Sequence, residues 1–271
     1  MIEWKNAVVV LTGAASGIGA AMSDQLAKAG ATLALVDKSG NELGGTLDRA
    51  RSLGATASGY VLDITDRAAV AELPARVVAD HGRATVLVNG AGVTLIGKFD
   101  QMAQDEFDWV MDVNFNATVR MTHAFLPLLQ QQPQAHICNI SSLFGLIALP
   151  SQVAYAASKF AVRGFSEALR HELDGTSVGL TIVHPGGVNT AIARNARTPA
   201  SVDPAQAEAQ KARAAKLLKT PPEDAARQII AAIEKRQPRL LIGRDARMGD
   251  RIQRIFPGTY WSKIKRSLEG G

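Results

Sequence analysis

A phenol and an ammonium lie one helical turn apart in the stretch "YAASK" at residues 155–159. Tyr155 and Lys159 are separated only by two alanines and a serine, so in a helix both side chains project from the same face. The pair has two interpretations. Either a surface lysine extends its aliphatic stem over a helix, or the ammonium lowers the pKa of a tyrosine acid/base. The two residues alone do not decide, so the elements around them must.

A glycine-rich turn lies near the start of the chain, between a predicted strand over 7–12 and a predicted helix over 17–30. Its sequence is "TGAASGIG" (12–19), with one more residue in the first gap than the G-x-G-x-x-G fingerprint. Glycines there permit a tight turn and close backbone approach, and the helix N-terminus can face a pyrophosphate. An ordinary strand-to-helix turn is the alternative, but the position between strand and helix favours dinucleotide binding.

An acidic residue, Asp37, ends the second predicted strand, 18 positions beyond Gly19. A carboxylate at this point can accept hydrogen bonds from an adenosine ribose and would repel a 2′-phosphate. NAD is therefore the expected cofactor, and NADP is less favoured. Lys38 complicates this prediction because a neighbouring cation offsets part of the repulsion. The alternative is that Asp37 only caps the following turn.

Short apolar strands alternate with longer helical patterns along the whole chain, which predicts a parallel sheet covered by helices on both faces. We expect seven strands, at 7–12, 31–37, 56–64, 84–92, 135–142, 177–187 and 238–243. Helices are predicted at 17–30, 41–54, 66–81, 103–131, around Tyr155 and at 221–236. The last of these has a predicted capping box, with Thr220 as cap, Pro221 at the first helical position and Glu223 completing the box.

Composition narrows the class of protein. The 271 residues are 46% apolar and 20% charged, as in a compact globular chain. The single cysteine, Cys138, excludes an internal disulfide framework and a cysteine-type metal site, and it favours an intracellular, cytoplasmic location. The start, "MIEWKNAVVV", is neither a signal peptide nor a membrane span. The histidines have no metal-ligand spacing, so no metal is expected.

The positive charge is concentrated at the end of the chain. From residue 236 onward, nine basic residues stand against three acids, so this segment is +6 and residues 1–235 sum to −1 of the total +5. A nearly neutral body argues against a nucleic-acid-binding protein. Residues 246–271 form a predicted basic amphipathic extension in which Met248, Ile252 and Ile255 share a stripe. This stripe could rest on an anionic membrane surface, or it could pack on the domain or on a sister subunit.

Several motifs follow one another in a familiar order, and together they resemble a classical member of the short-chain dehydrogenase/reductase family. They are "TGAASGIG", "LDI" (62–64), "NGAG" (89–92), Asn114, Ser142, "YAASK" and "PGGVNT" (185–190). The resemblance covers about residues 5–245. It implies a Rossmann-type doubly wound parallel sheet in one catalytic domain over 1–245, with a mobile substrate lid at about 188–219. One departure is Gly90, where the family usually has an asparagine that supports the central sheet.

The resemblance also implies a role for each of four catalytic residues. Tyr155 would be the general acid/base, with its pKa lowered by Lys159 and by the positive charge of the oxidised nicotinamide. Lys159 would also hold the nicotinamide ribose. Ser142, 13 positions before Tyr155, would orient the substrate oxygen, and Asn114 would hold a water beside the lysine.

The remaining predicted site residues bind cofactor or substrate. Cofactor contacts are expected at Gly13, Ser16, Gly17, Ile18, Gly19, Asp37, Asp63, Ile64, Asn89, Ala91, Gly92, Tyr155, Lys159, Pro185, Gly186, Val188 and Thr190, the last bonding the nicotinamide carboxamide. An apolar substrate pocket is expected at Leu143, Phe144, Leu149, Val153 and Ile192, with Val188 contributing and with Leu95 and Ile96 on the opposite loop. His184 is expected to be a core or rim histidine.

Three functions remain open at this point. The first is an NAD(H)-dependent oxidoreductase that interconverts a hydrophobic secondary alcohol and a ketone, with an NADP(H)-dependent ketone reductase as its close variant. The second is a non-catalytic dinucleotide sensor, and the third is a membrane- or nucleic-acid-binding protein that uses the basic tail. The resemblance further implies a homotetramer or homodimer formed by helices near 105–131 and 153–173.

Overall fold

Apolar strands form the centre of the molecule in a computed structural model that describes residues 1–269, with side chains described for 1–265. Seven strands make one parallel sheet in the order β3-β2-β1-β4-β5-β6-β7. They are β1 Val8–Thr12, β2 Thr32–Asp37, β3 Ala57–Val61, β4 Val86–Asn89, β5 Ala135–Ile140, β6 Val178–Pro185 and β7 Arg239–Ile242. The predicted doubly wound α/β sheet of seven strands is confirmed.

Helices cover both faces of this sheet. They are α1 Gly17–Lys28, α2 Gly40–Ser52, α3 Arg67–His81, α4 Gln104–Met111, α5 Ala117–Gln130, α6 Val153–Glu172, α7 Pro204–Lys216, α8 Pro222–Glu234, α9 Arg244–Ile255 and α10 Tyr260–Glu269. Strand alternation divides the core: Val9 and Leu11 of β1 pack with α1, α2 and α8, whereas Val8 and Val10 pack with α3 and α5.

Two local predictions differ from the structure. The predicted long helix at 103–131 is interrupted by a π-helical turn over Asp112–Asn116. The predicted capping box of α8 is wrong, because the helix begins with Pro222 and its cap is Pro221, without a side-chain bond. Thr220 is occupied elsewhere: its N–H donates to the Gly187 carbonyl and its carbonyl accepts from Asn189 N.

The strand order reverses between β1 and β4, and the loops after both strands open at the carboxyl edge of the sheet. In open α/β sheets a ligand crevice forms at this reversal. Most of the predicted cofactor and catalytic residues follow the carboxyl ends of strands or lie at the start of α6, so the topology brings them to the same edge, and Asn114 comes from the π-helical turn between α4 and α5.

Candidate active site

The glycine-rich turn is packed so tightly that side chains would not fit. Gly13 has φ +72°, and a Cβ there would lie 2.8 Å from the Ala91 backbone. A Cβ on Gly19 would lie 2.0 Å from the Gly13 carbonyl oxygen. Gly17 has φ +54° and faces the Thr190 side chain, and Ser16 is the cap of α1 without a side-chain capping bond. The turn therefore presents bare backbone and a helix N-terminus, which suits a pyrophosphate.

Asp37 joins this turn to the next one. Its carboxylate accepts from the amides of Ala15 and Ser39, each at 3.0 Å. This side chain therefore caps the following turn and also fixes the glycine-rich turn beside the end of β2, while its role at a ribose stays a prediction. Asp63 is exposed and accepts from the amide and hydroxyl of Thr65. Burial raises the Asp63 pKa, but these bonds and the Lys38 charge outweigh it, so the pKa is lowered.

The loop after β4 is held by a threonine of β1. Thr12 Oγ1 accepts from the amides of Gly90 and Ala91 at 3.1 and 3.3 Å. A Cβ at Gly90 would lie 2.8 Å from the Thr12 carbonyl oxygen, so this chain is packed for glycine where an asparagine was expected. Asn89 points inward and donates to Asn139 Oδ1 and Thr122 Oγ1.

Four predicted catalytic residues come together above this loop. The Lys159 Nζ lies 5.7 Å from the centroid of the Tyr155 ring and donates to the Ile140 carbonyl at 3.0 Å. Ser142 follows β5, and its hydroxyl lies beside the Tyr155 phenol, whose pKa it acts to lower. Because Ser142 Oγ already accepts from Phe144 N at 3.1 Å, its proton and one lone pair remain for other partners.

Asn114 lies in the π-helical turn and is almost completely buried. Its Oδ1 accepts from Val93 N at 2.8 Å, and its Nδ2 donates to Val93 O and to Ser158 Oγ. Ser158 in turn donates to the Tyr155 carbonyl. Gly92 leaves room for this arrangement, since a Cβ there would lie 3.3 Å from Asn114 Oδ1 and 3.4 Å from Lys159 Nζ.

Burial dominates the protonation of the central pair. It raises the pKa of Tyr155, and the Ser142 hydroxyl opposes this only in part. Burial lowers the pKa of Lys159 to about 8, which still leaves the ammonium the main form at neutral pH. In the cofactor-free protein the Tyr155 pKa is therefore above its usual value, because desolvation of the phenolate dominates. The predicted lowering of the Tyr155 pKa also depends on the positive charge of an oxidised nicotinamide.

The loop after β6 is braced by residues far away in sequence. The Asp245 carboxylate accepts from Gly187 N at 2.7 Å, and the Gly187 carbonyl accepts from Lys219 N and Thr220 N. Gly186 and Gly243 leave space for Asp245, since a Cβ on either would come within 2.4 Å of it.

The residue before this loop, His184, also contacts the site. Its Nδ1 lies 3.0 Å from the Ser142 carbonyl, so Nδ1 carries the proton. Burial lowers its pKa to about 4, and it stays neutral near pH 7. Sequence reasoning missed the roles of Asp245 and His184.

Comparison with known proteins agrees with this geometry. The family model for short chain dehydrogenases matches residues 7–201. The chain belongs to the short-chain dehydrogenase family.

Relatives extend the match over nearly the whole chain. A Mycobacterium tuberculosis protein named as the oxidoreductase SadH is 41% identical over 96% of this chain and 94% of its own length. The 1-deoxy-11-beta-hydroxypentalenate dehydrogenase of Streptomyces avermitilis is 37% identical over 70% of this chain and 72% of its own. A Burkholderia phymatum short chain dehydrogenase/reductase solved in complex with NAD has a TM-score of 0.86 and 31% identity, covering 94% of this chain and 95% of its own. The protein is therefore an oxidoreductase of this family that binds a nicotinamide dinucleotide.

Several predicted contacts lie in the core of this family member instead of the crevice. The side chains of Ile64 and Val188 belong to the two main apolar clusters, and Leu95 packs with Val110 and Ala154. Ile96 is buried as well, and Asn89 points inward, so the side chains of these residues are largely engaged in packing within the domain. Apolar character alone did not distinguish pocket from packing.

The other predicted pocket residues are at least partly accessible. They are Leu143, Phe144, Leu149, Val153 and Ile192. Phe144 stacks edge-on against Tyr155, with ring centroids 5.9 Å apart and planes at 87°. This contact places an apolar wall directly beside the phenol.

The predicted lid at 188–219 is attached to the opposite loop. Arg197 exchanges backbone hydrogen bonds with Thr94 and Ile96, and its guanidinium carbon lies 3.7 Å from the Trp109 ring centroid. Pro199 packs so closely on Gly97 that a Cβ there would meet it at 2.4 Å. Residues 197 and 199 are therefore bound to the loop over 94–97, and the mobility predicted for the segment stays a prediction.

The C-terminal helices also contact the site. A Cβ on Gly249 of α9 would lie 2.6 Å from Leu143, and Tyr260 of α10 bonds through its hydroxyl with Ala148 N at 3.0 Å. Met248 and Ile255 of the predicted stripe are exposed and Ile252 is half-buried, while Ala246, Gly249 and Asp250 face inward. At Met248 and Ile255 the stripe therefore does not pack on the domain.

Within the described part of the chain, no group of three or more acidic, histidine or cysteine side chains is arranged to hold a metal ion. Of the helices described, none is long and apolar enough to cross a bilayer.

Proposed function

We propose that the protein is an NAD(H)-dependent oxidoreductase that interconverts a hydrophobic secondary alcohol and the corresponding ketone. The observation that carries this proposal is that the Tyr155 phenol lies beside both the Ser142 hydroxyl and the Phe144 ring. A dissociable proton, a hydroxyl that can orient an oxygen and an apolar wall are what a bulky carbonyl or carbinol group requires.

The cradle of glycines at 13, 17 and 19 would hold the dinucleotide by its pyrophosphate, with Asp37 at the ribose and Thr190 at the carboxamide. A bound nicotinamide supplies hydride acceptance or donation. A carboxylate at Asp37 would repel a 2′-phosphate, which favours NAD. The positive charge of Lys38 acts to lower the pKa of Asp63, so the Asp63 carboxylate already balances part of that charge. Less of it is left to attract a 2′-phosphate, and this supports NAD over NADP.

The chain's own residues would handle the proton. Ser142 would use its free hydroxyl proton to fix the substrate oxygen, and Tyr155 would donate a proton to that oxygen in reduction or remove it in oxidation. Lys159, with its pKa near 8, would stabilise the phenolate electrostatically. Asn114 would hold the loop carrying Val93 and Gly92 against the lysine, next to any water that relays the proton outward.

Relatives give separate support for the reaction class. Among them is a protein named as a dehydrogenase of a hydroxypentalenate, and the half-exposed apolar residues beside Tyr155 suit a substrate of comparable polarity.

We also propose a cytoplasmic homotetramer or homodimer. Light scattering of the purified protein tests the oligomer.

A fluorescence titration with NADH and NADPH tests the cofactor. We expect NADH to bind more tightly than NADPH. The Asp37→Asn variant removes the charge but keeps the size of the side chain, so it should narrow the difference between the two affinities by about tenfold. A preference for NADPH in the wild type would overturn the assignment and make Lys38 the phosphate partner.

Turnover tests the reaction itself. NAD reduction should proceed with apolar cyclic or long-chain secondary alcohols and be much slower with sugar alcohols of similar size. Tight NADH binding without turnover of either class, in either direction, would instead support a dinucleotide sensor.

A further inference from the structure

Helix α9 turns both of its acidic side chains toward the domain. Asp245 bonds Gly187 N, and Asp250 is paired with Arg239 at 2.5 Å and with Arg254 at 3.1 Å. Between 244 and 265 these are the only acids in the sequence. The outward face of the C-terminal helices therefore carries no carboxylate within 244–265.

Apolar side chains are exposed on that outward face. Met248 is 55% exposed and Ile255 is 68% exposed, and a spacing of seven places them on the same side of the helix. Half-buried Ile252 lies between them. Phe256 continues the stripe just beyond the helix, 39% exposed. Exposed apolar side chains grouped in this way mark an interaction surface.

Cations flank the stripe. Arg244, Arg247, Arg251 and Arg254 are exposed along α9, and Lys263 of α10 lies with its Nζ 3.9 Å from the Phe256 ring centroid. Only Arg254 of the four arginines has a carboxylate partner that the structure shows in this helix. An apolar stripe with cationic borders has the chemistry of a helix that lies in the interface of an anionic bilayer.

We propose that α9 and α10 dock the enzyme on an anionic lipid bilayer, with Met248, Ile255 and Phe256 entering the interface and the arginines contacting lipid phosphates. A two-fold contact of this face with itself is less favourable, because an isologous interface would bring these arginines together. The docked face borders the loop after Ser142, through Gly249 on Leu143 and Tyr260 on Ala148. An apolar substrate dissolved in the bilayer would therefore meet the mouth of the site. The docking itself does not depend on the proposed reaction.

Co-flotation of the full chain with vesicles tests the proposal. We expect binding to vesicles of phosphatidylcholine mixed with phosphatidylglycerol, little binding to phosphatidylcholine alone, and release at high salt. Arg247→Gln with Arg251→Gln should lower the partition coefficient by about 25-fold, since each cation contributes about fivefold near an anionic surface. Met248→Ser with Ile255→Ser should lower it by about tenfold or more.

Matched controls come from the opposite edge of the sheet. Val61 on β3 is 63% exposed, and Arg67 begins α3 and is exposed. Val61→Ser and Arg67→Gln should leave vesicle binding unchanged. All variants should keep the NADH affinity and melting temperature of the wild type.

Three outcomes would overturn the proposal: no binding to the anionic vesicles, equal binding to both vesicle types, or binding that the α9 variants leave unchanged. If Met248→Ser with Ile255→Ser instead lowers the molar mass in light scattering while vesicles are not bound, the face is a subunit interface and the lipid proposal is wrong.

Discussion

Two buried histidines lie on neighbouring strands at opposite ends of the sheet, His136 at the start of β5 and His184 at the end of β6. At the amino end, Thr181 donates its hydroxyl proton to the Gln237 carbonyl at 2.6 Å. His136 Nε2 must therefore donate to Thr181 Oγ1, 2.8 Å away. Arg236 covers this end by donating to the carbonyls of Ala135 and Ser177. The polar groups here serve the fold.

At the carboxyl end of the sheet, a histidine and two hydroxyl groups also lie close together, but not all of their hydrogen-bonding positions are used. His184 is bonded to the Ser142 carbonyl, but the Ser142 hydroxyl and the Tyr155 phenol still have a free donor or acceptor position. The comparison teaches that a buried polar residue becomes a candidate for chemistry when its neighbours leave some of its hydrogen-bonding capacity unused at an open edge.

Loss of the phenol at the carboxyl end should have the largest effect. Tyr155→Phe removes the proposed proton donor, so turnover should fall by about a thousandfold, while NADH affinity should stay within a few-fold of wild type. Tyr60→Phe is the matched control, since the Tyr60 hydroxyl bonds Asp80 at 2.6 Å and lies away from the crevice. Steady-state rates and NADH titration measure both, and a Tyr155→Phe enzyme with normal turnover would refute the assignment.

The amino-end histidine should instead control acid stability. Burial, with a smaller contribution from Arg236, lowers the His136 pKa to about 3, below the usual 6.5 of an unfolded chain. Folding favours the neutral form of His136, so its contribution to the free energy of unfolding is complete above pH 6.5 and is lost as the pH falls toward 3. Between about pH 7.5 and about pH 4.5, this histidine should lower the free energy of unfolding by about 3 kcal/mol.

His136→Gln keeps a donor for Thr181 and cannot titrate. The free energy of unfolding, measured by urea denaturation, should therefore fall less on acidification than in the wild type. His123→Gln, at an exposed helical position, is the control and should follow the wild type. An equal acid loss in His136→Gln would show that His136 does not carry the effect.

A brace between the C-terminal segment and the crevice should have an intermediate effect. Asp245→Ala removes the acceptor of Gly187 N and loosens the loop expected to hold the nicotinamide, so NADH affinity should fall by about tenfold. Asp245→Asn keeps an oxygen for that amide and should restore most of the affinity. Asp66→Ala is the control, because Asp66 also accepts hydrogen bonds from backbone amides. Its two partners lie at the cap of α3, away from the crevice. It should lower the melting temperature and leave NADH binding unchanged.

The sequence predicted what depends on local pattern. Alternating strands and helices, the glycine-rich turn and the Tyr155–Lys159 spacing each follow from neighbouring residues, and the structure places them as expected. Asp245 and His184 escaped because their partners lie 58 and 42 positions away and no spacing signals them. Leu95 and Val188 were placed in the wrong environment because an apolar residue after a strand suits a pocket wall and a core equally well. The π-helical turn around Asn114 has no signature in its residue types.

The smallest effect is expected at the carboxyl-end histidine, and it decides whether His184 positions the site or only fills space. His184→Ala removes the donor to the Ser142 carbonyl, which retains Gly145 N as a second donor, so kcat should fall by only about fivefold with NADH affinity unchanged. Asparagine places an N–H near the position of Nδ1, so His184→Asn should recover kcat, whereas His184→Gln, whose amide is one bond too far, should not. Because the His184 pKa is about 4, the wild-type rate should show no step from this residue above pH 6. Equal losses of kcat in the Asn and Gln variants would mean that His184 supports the site by packing and not by its bond to Ser142.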